Sequence, residues 1–148
     1  PTPLSQIIDG SVDDLNTLTS KNNNKILVVC NESIMVNADP QLLREAIINL
    51  LENAVKYGTT GTDIKINVDQ TETTNIQVIN EGEVIPDKHR DRIFQRFYRI
   101  DKSRDREAGG TGLGLAIVKH ISLVHGGEVG VSFTDNSETC FTISLPIL

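Results

Sequence analysis

Asp39-Pro40-Gln41-Leu42-Leu43-Arg44-Glu45-Ala46-Ile47-Ile48-Asn49-Leu50-Leu51-Glu52-Asn53-Ala54-Val55-Lys56-Tyr57 reads as one long helix with two chemically different faces. Asp39 suits the N-cap and Pro40 the first turn, where a missing N–H costs nothing. Gly58-Thr59-Thr60-Gly61 ends the helix. At about 100° per residue, Leu43, Ile47, Leu50, Leu51, Ala54 and Val55 form an apolar stripe that needs a core to bury it. Asn49, Asn53 and Lys56 follow one another at spacings of four and three, so they project together on another face, with Tyr57 beside them. An asparagine offers a carbonyl oxygen to a hard cation, and magnesium is commonly held by few protein ligands plus substrate phosphates. A lysine one turn on can pair with those phosphates. The plain alternative is a solvated polar face. Asparagine is a poor helix former, however, and two of them four apart, flanked by leucines, are unusual as filler.

Around this helix the pattern alternates helix and strand, without repeats or low-complexity tracts. Leu4 to Leu18 is amphipathic through Leu4, Ile7, Ile8, Val12 and Leu15, and predicts a helix. Lys21-Asn22-Asn23-Asn24 is a loop, and Ile26 to Cys30 with Ile34 to Val36 predict a hairpin of strands. Further strands are expected at Ile64 to Val68, Asn75 to Asn80, Val129 to Phe133 and Cys140 to Leu145. Strand pairs joined by short turns favour a mixed, mostly antiparallel sheet with helices on one face. The expected class is α+β, a two-layer α/β sandwich, and not a Rossmann order.

A second constellation follows. Gly109-Gly110-Thr111-Gly112-Leu113-Gly114-Leu115-Ala116 opens directly into the helix-periodic run Ile117 to Val124. Glycines let a backbone approach phosphate oxygens closely, and a helix N-terminus presents unpaired N–H groups and a positive dipole end. A tight strand-to-helix loop would look similar. Ahead of this run, Lys88 to Arg106 holds eight of the 14 basic residues, interleaved with Asp87, Asp91, Asp101, Asp105 and Glu107. Such a run is either a solvated surface or a basic loop able to cover a polyphosphate.

Composition narrows the classes further. A chain of 148 residues is one domain with room for a sizeable core, and 38% hydrophobic with 23% charged residues is ordinary for a globular protein. Nothing approaches the roughly 20 apolar residues of a membrane span, and no signal-peptide pattern opens the chain. A net charge of −6 disfavours general nucleic-acid binding. Cys30 and Cys140 sit in apolar strands without metal-ligand spacing, as reduced buried thiols do.

Several of these segments together resemble one family. Leu43 to Tyr57 resembles the asparagine box of sensor histidine kinases, Ile93-Phe94-Gln95-Arg96-Phe97-Tyr98-Arg99 their phenylalanine box, and Gly109 to Ala116 their second glycine box. His125-Gly126-Gly127 before a strand and the terminal Thr139 to Pro146 follow the same order and spacing. The resemblance covers about Pro3 to Pro146. It implies the Bergerat fold shared with gyrase, the ninety-kilodalton heat-shock chaperone and the mismatch-repair ATPases. Residues 1–148 would form one ATP-binding catalytic domain that uses ATP and Mg2+.

The resemblance also implies roles for residues. Asn53 would be the principal magnesium ligand, and Asn49 would support metal and phosphates. Lys56 would contact phosphate, Tyr57 would flank the adenine, and Arg99 and Arg104 would reach the terminal phosphates. Asn49, Asn53, Lys56, Arg99 and Arg104 then form the catalytic set. Gly110, Thr111, Gly112 and Gly114 would form the backbone cradle, with Leu113 or Leu115 as a wall of the pocket. Asn80, Gly82, Val84, Ile85 and Thr139 would bound the base, while Phe94 and Phe97 anchor the basic loop in apolar surroundings.

Two departures from the family pattern stand out. Its first glycine box usually reads Asp-x-Gly-x-Gly, the Asp accepting from the adenine amino group. This chain has Asn80-Glu81-Gly82-Glu83-Val84-Ile85-Pro86. An amide oxygen can still accept, but it forfeits charge assistance. The third glycine box is replaced by Asn136-Ser137-Glu138-Thr139, which has no glycine.

ATP-hydrolysing relatives carry a glutamate four residues before the metal-binding asparagine. The corresponding Asn49 cannot act as a general base at neutral pH. None of His89, His120 and His125 lies in the sequence context of a phosphoacceptor helix, and His120 and His125 read as structural or capping residues. The resemblance therefore implies an excised catalytic domain. Its partners would be a dimerising phosphoacceptor domain of the full-length protein and a downstream response regulator, with no nucleic acid and no direct membrane contact. The isolated domain is expected to be a monomer and the full-length protein a homodimer. The expected location is the cytoplasm, including the cytoplasmic part of a membrane-bound sensor. Two other readings stay open: a nucleotide-binding or scaffold module that has lost catalysis, and a serine kinase or ATPase of the same superfold.

Overall fold

The computed structural model describes residues 1–82, 85, 87–90, 92–95 and 113–147. In chain order the elements are β1 (Thr2–Pro3), α1 (Leu4–Asp14), α2 (Asn16–Lys21), β2 (Lys25–Val29), β3 (Met35–Val36), α3 (Pro40–Tyr57), β4 (Asp63–Gln70), β5 (Thr73–Asn80), α4 (Asp87–Arg90), α5 (Gly114–Val124), β6 (Glu128–Phe133) and β7 (Thr139–Pro146).

A five-stranded sheet runs in the order β2-β4-β5-β7-β6, parallel between β2 and β4 and antiparallel elsewhere. Its register explains the layering. Ile66, Val78, Phe141 and Val131 lie opposite one another in one row, and Val68, Ile76, Ile143 and Val129 in the next. Because side chains alternate, these rows share one face. Ile66, Ile76, Val78, Phe141 and Ile143 are buried there beneath Leu43, Ala46, Ile47, Leu50 and Leu51 of α3. Each large side chain so buried contributes about 1.5–3 kcal/mol. Asn67, Gln77, Thr142 and Gly130 form a row on the opposite face, and none of them is buried. The mixed two-layer sandwich expected from the alternation is the architecture observed.

Two local expectations are corrected. Leu4 to Leu18 is not one helix: Leu15, at φ −102° and ψ 4°, separates α1 from α2. Asp13 and Asp14 set two carboxylates at the negative end of α1, and neither Asp nor Asn16 favours helix. Nor do Ile26–Cys30 and Ile34–Val36 form a hairpin. β2 pairs in parallel with β4, while β3 pairs with β1 in a separate two-stranded sheet. Asn31 redirects the chain between them, its Oδ1 accepting from the Ser33 backbone N–H at 2.9 Å and from the Ser33 hydroxyl at 2.8 Å. Alternation marks a strand, but it does not encode which distant strand becomes its neighbour.

The N-terminus of α3 matches its signals. Asp39 Oδ1 accepts from the backbone N–H of Gln41 at 2.9 Å and of Leu42 at 3.2 Å. The Asp39 N–H in turn donates to Nε2 of His125 at 3.0 Å, and His125 Nδ1 lies 2.7 Å from the Ile121 carbonyl. A backbone N–H can only donate, so Nε2 accepts and Nδ1 carries the proton. His125 thereby ties the end of α5 to the start of α3, the structural role its place before Gly126-Gly127 suggests. His125→Ala should cost about 1–2 kcal/mol by leaving the Asp39 N–H without this partner, read as a lower urea midpoint at unchanged slope.

Cys140 is buried and Cys30 is half-buried, and both are free thiols. Burial first, and then the Asp9 carboxylate, pushes the Cys30 thiol upward, the opposite of what a reactive cysteine needs. Among the described residues no helix is long and apolar enough to cross a membrane.

Candidate nucleotide site

The site begins where α3 and α5 meet. His125 joins Asp39 at one end of this helix pair. At the other end, a Cβ placed on Gly114 would lie 3.1 Å from Asn49 Oδ1. Counting from these contacts, the two helices run antiparallel and the first residue of α5 abuts the asparagine face of α3. Only a residue without a side chain allows that approach undisturbed. Asn49 is held in turn: its Nδ2 donates to the Glu45 carbonyl at 2.9 Å, leaving Oδ1 toward α5.

Asn53 lies one turn further along. It is half-buried, and among the described residues its side chain has no hydrogen-bond partner. Lys56 is exposed and forms no ion pair among the described residues. Among those residues no three His, Cys, Asp or Glu side chains converge to hold a metal ion. The oxygen donors on this face are amides, weak alone and suited to a cation that arrives with phosphate oxygens of its own.

The C-terminal end of α3 is closed against the end of β5. Gly58 and Gly82 form an antiparallel bridge, and the Thr59 N–H donates to the Glu81 carbonyl at 2.7 Å. A Cβ on Gly82 would stand 2.6 Å from the Tyr57 carbonyl and 3.3 Å from Asn80 Nδ2. A Cβ on Gly58 would collide with the Ala54 carbonyl. This pair of glycines is a steric requirement of the junction. The importance of Gly58 was not visible in sequence, where it reads only as a helix stop.

Asn80 ends β5 at 5% exposure, opposite Thr139 of β7 in the register. With the amide oriented by its hydrogen bond, Nδ2 donates to the Glu81 carbonyl at 3.3 Å, which leaves Oδ1 as the acceptor. Thr139, also at 5% exposure, flanks it. Ile85 and Leu115 are half-buried and pack on the core, and Leu113 is half-buried just before α5. The structure therefore brings together Asn49 with Gly114, and Tyr57 with Gly82, Asn80 and Thr139. Val84, Arg99, Arg104, Gly110, Thr111 and Gly112 lie outside the described residues, as does Phe97. Phe94 is buried, with its ring edge-on to Phe141 at 6.0 Å.

The missing third glycine box has a visible consequence. Ser137 adopts φ 61°, the left-handed backbone that glycine takes without cost. Ser137→Gly should therefore stabilise the chain by about 0.5–1 kcal/mol, measured by urea unfolding. Glu138 beside it is buried, accepting from the Thr134 hydroxyl at 3.3 Å and pairing with Lys65 at 3.4 Å.

The profile of the histidine kinase-, DNA gyrase B- and HSP90-like ATPases matches residues 38–148. The chain belongs to that ATPase family. Sensor kinases are among its relatives. It is 44% identical over 115 residues to the probable sensor kinase SilS of Salmonella typhimurium, covering 77% of this chain and 23% of that protein. It is 45% identical over 117 residues to the sensor histidine kinase CusS of Escherichia coli K12, covering 78% and 24%. The chain thus spans about a quarter of the length of these curated relatives. Among solved structures, the mycobacterial sensor histidine kinase MprB superposes with a TM-score of 0.85 at 28% identity, covering 99% of this chain and 96% of that one. The nucleotide-free catalytic domain of histidine kinase ThkA superposes at 0.84 with 27% identity, covering 98% and 93%. This ATPase-family domain therefore shares both fold and sequence with histidine kinase catalytic domains.

Proposed function

We propose that residues 1–148 bind Mg-ATP and transfer its γ-phosphoryl group to a histidine on a separate dimerisation and phosphoacceptor domain. The observation that carries this reading is the contact of Gly114, at the start of α5, with Asn49 on the Asn49, Asn53 and Lys56 face. A glycine-led helix N-terminus beside amide oxygens and a lysine offers groups for both a polyphosphate and its cation.

In this reading Asn53 Oδ1 holds the magnesium ion, with Asn49 behind it, and Lys56 pairs with phosphate oxygens. A magnesium ion held there would supply charge neutralisation to the phosphates. Arg99, Arg104 and the backbone of Gly110, Thr111 and Gly112 complete the phosphate end. Tyr57, Gly82, Val84, Ile85, Leu113, Leu115 and Thr139 enclose the base, and Asn80 Oδ1 accepts from the adenine amino group. The incoming histidine nitrogen forms a bond to the γ-phosphorus as the bond to the β–γ bridging oxygen breaks, releasing ADP. The domain contributes position and charge neutralisation, and the nucleophile comes from elsewhere. His125 is committed between Asp39 and Ile121. Asn49 stands where a water-activating glutamate would be needed, so hydrolysis should be slow.

Such a domain operates in the cytoplasm, next to its acceptor helices and a response regulator, and as a monomer when isolated. The supporting experiment is phosphotransfer from labelled ATP to a phosphoacceptor helical hairpin. Acid-labile, base-stable phosphate is expected on the hairpin. Acid-stable phosphate would instead indicate a serine kinase. Absence of Mg-ATP binding would favour a scaffold, a reading that draws on Asn80 in place of aspartate and on the glycine-free turn at Ser137.

A further inference from the structure

We infer that Arg90 is a positioning residue for the base end of the nucleotide site, a conclusion that rests on the function proposed above. Arg90 belongs by sequence to the basic run, which suggests a phosphate-seeking cation. The structure directs it elsewhere. Its Nε–H donates to the Ile85 carbonyl at 3.2 Å, and its guanidinium carbon lies 4.2 Å from the centroid of the Phe133 ring. Phe133 ends β6 and is paired with Thr139, which is paired with Asn80. One guanidinium therefore joins the segment after β5, carrying Ile85, to the far side of the strand end that presents Asn80.

The geometry suits arginine in particular. A planar group can lay its face on an aromatic ring while an in-plane N–H reaches a carbonyl, and a lysine ammonium cannot do both. The same segment is secured beyond α4 by buried Ile93 and by Phe94 against Phe141. Ile85 is thus held between Gly82, bridged to Gly58, and the Arg90 contact. With Ile85 held before the nucleotide arrives, less of the binding energy goes into fixing this wall, so Arg90 should act on affinity for the base.

The test measures affinity of the 148-residue chain for Mg-ATP, and for Mg-tripolyphosphate as a competitor, with Arg90→Ala, Phe133→Leu and the double variant. Arg90→Ala should weaken Mg-ATP about tenfold while leaving tripolyphosphate within twofold. Phe133→Leu should weaken Mg-ATP severalfold, Phe133→Tyr should restore it, and the double variant should be no worse than Arg90→Ala. With a phosphoacceptor present, KM for ATP should rise in the same proportion while kcat changes less than KM. Unchanged Mg-ATP affinity in Arg90→Ala overturns the inference. Equal weakening of tripolyphosphate also overturns it, by making Arg90 a phosphate cation. A wild-type chain that does not bind Mg-ATP overturns the proposed function itself, and this inference with it.

Discussion

Replacing Asn53 with alanine is expected to weaken Mg-ATP binding about a hundredfold and to abolish detectable phosphotransfer, with the fold retained. The size follows from removing the principal metal donor proposed from the protein, since Asn49 is already turned to Glu45 and α5. Retention of the fold follows from position. Asn53 is half-buried and makes no side-chain hydrogen bond among the described residues, and alanine is the better helix former by roughly 0.5 kcal/mol. Calorimetric titration with Mg-ATP, alongside a urea unfolding curve, separates the two effects. A variant that binds as the parent does would place the cation elsewhere. One that unfolds would make Asn53 structural.

Gly82→Ala is the second large expectation, and here fold and affinity should fall together. The added methyl would stand 2.6 Å from the Tyr57 carbonyl, inside any real contact, so the bridge to Gly58 must open. Forced overpacking of this kind costs about 1–3 kcal/mol. The displacement also moves Asn80, whose amide nitrogen is 3.3 Å from the same methyl position. Mg-ATP affinity should therefore drop by about tenfold even where the domain remains folded. Gly130→Ala is the control, because a methyl there meets nothing within 4 Å. Its unfolding midpoint and Mg-ATP affinity should match the parent. If Gly82→Ala behaves like Gly130→Ala, the junction between α3 and β5 does not shape the site.

The parts of the fold legible in the sequence are those written in local periodicity and caps. The stripe of α3, its Asp39 cap and the alternating strands β4, β5, β6 and β7 are examples. The parts not legible are pairings between distant segments. β2 has the alternation of a hairpin strand, but what it joins is β4, some 38 residues on, and only the packed structure makes that choice. The break at Leu15 was masked by an apolar stripe that continues through it into Leu18. In the site, the asparagine face of α3 and the glycines before α5 stand out because unusual residues occupy regular positions. The contact of Asn49 with Gly114 joins these two signals. In the sequence Gly58 is punctuation and Arg90 is part of a charged run. Their roles depend on the Tyr57 to Gly82 approach and on the ring of Phe133, neither of which any local pattern contains.

The most direct test of the central claim is a titration of the isotope-labelled chain with Mg-ATP, following the side-chain amide resonances of Asn49, Asn53 and Asn80 together with the backbone of Gly82 and Gly114. Saturable shifts at both the Asn53 and Asn80 ends, lost in Asn53→Ala at the same nucleotide concentration, are the predicted result. Absence of shifts, or shifts confined to residues away from α3, β5 and the start of α5, would contradict it.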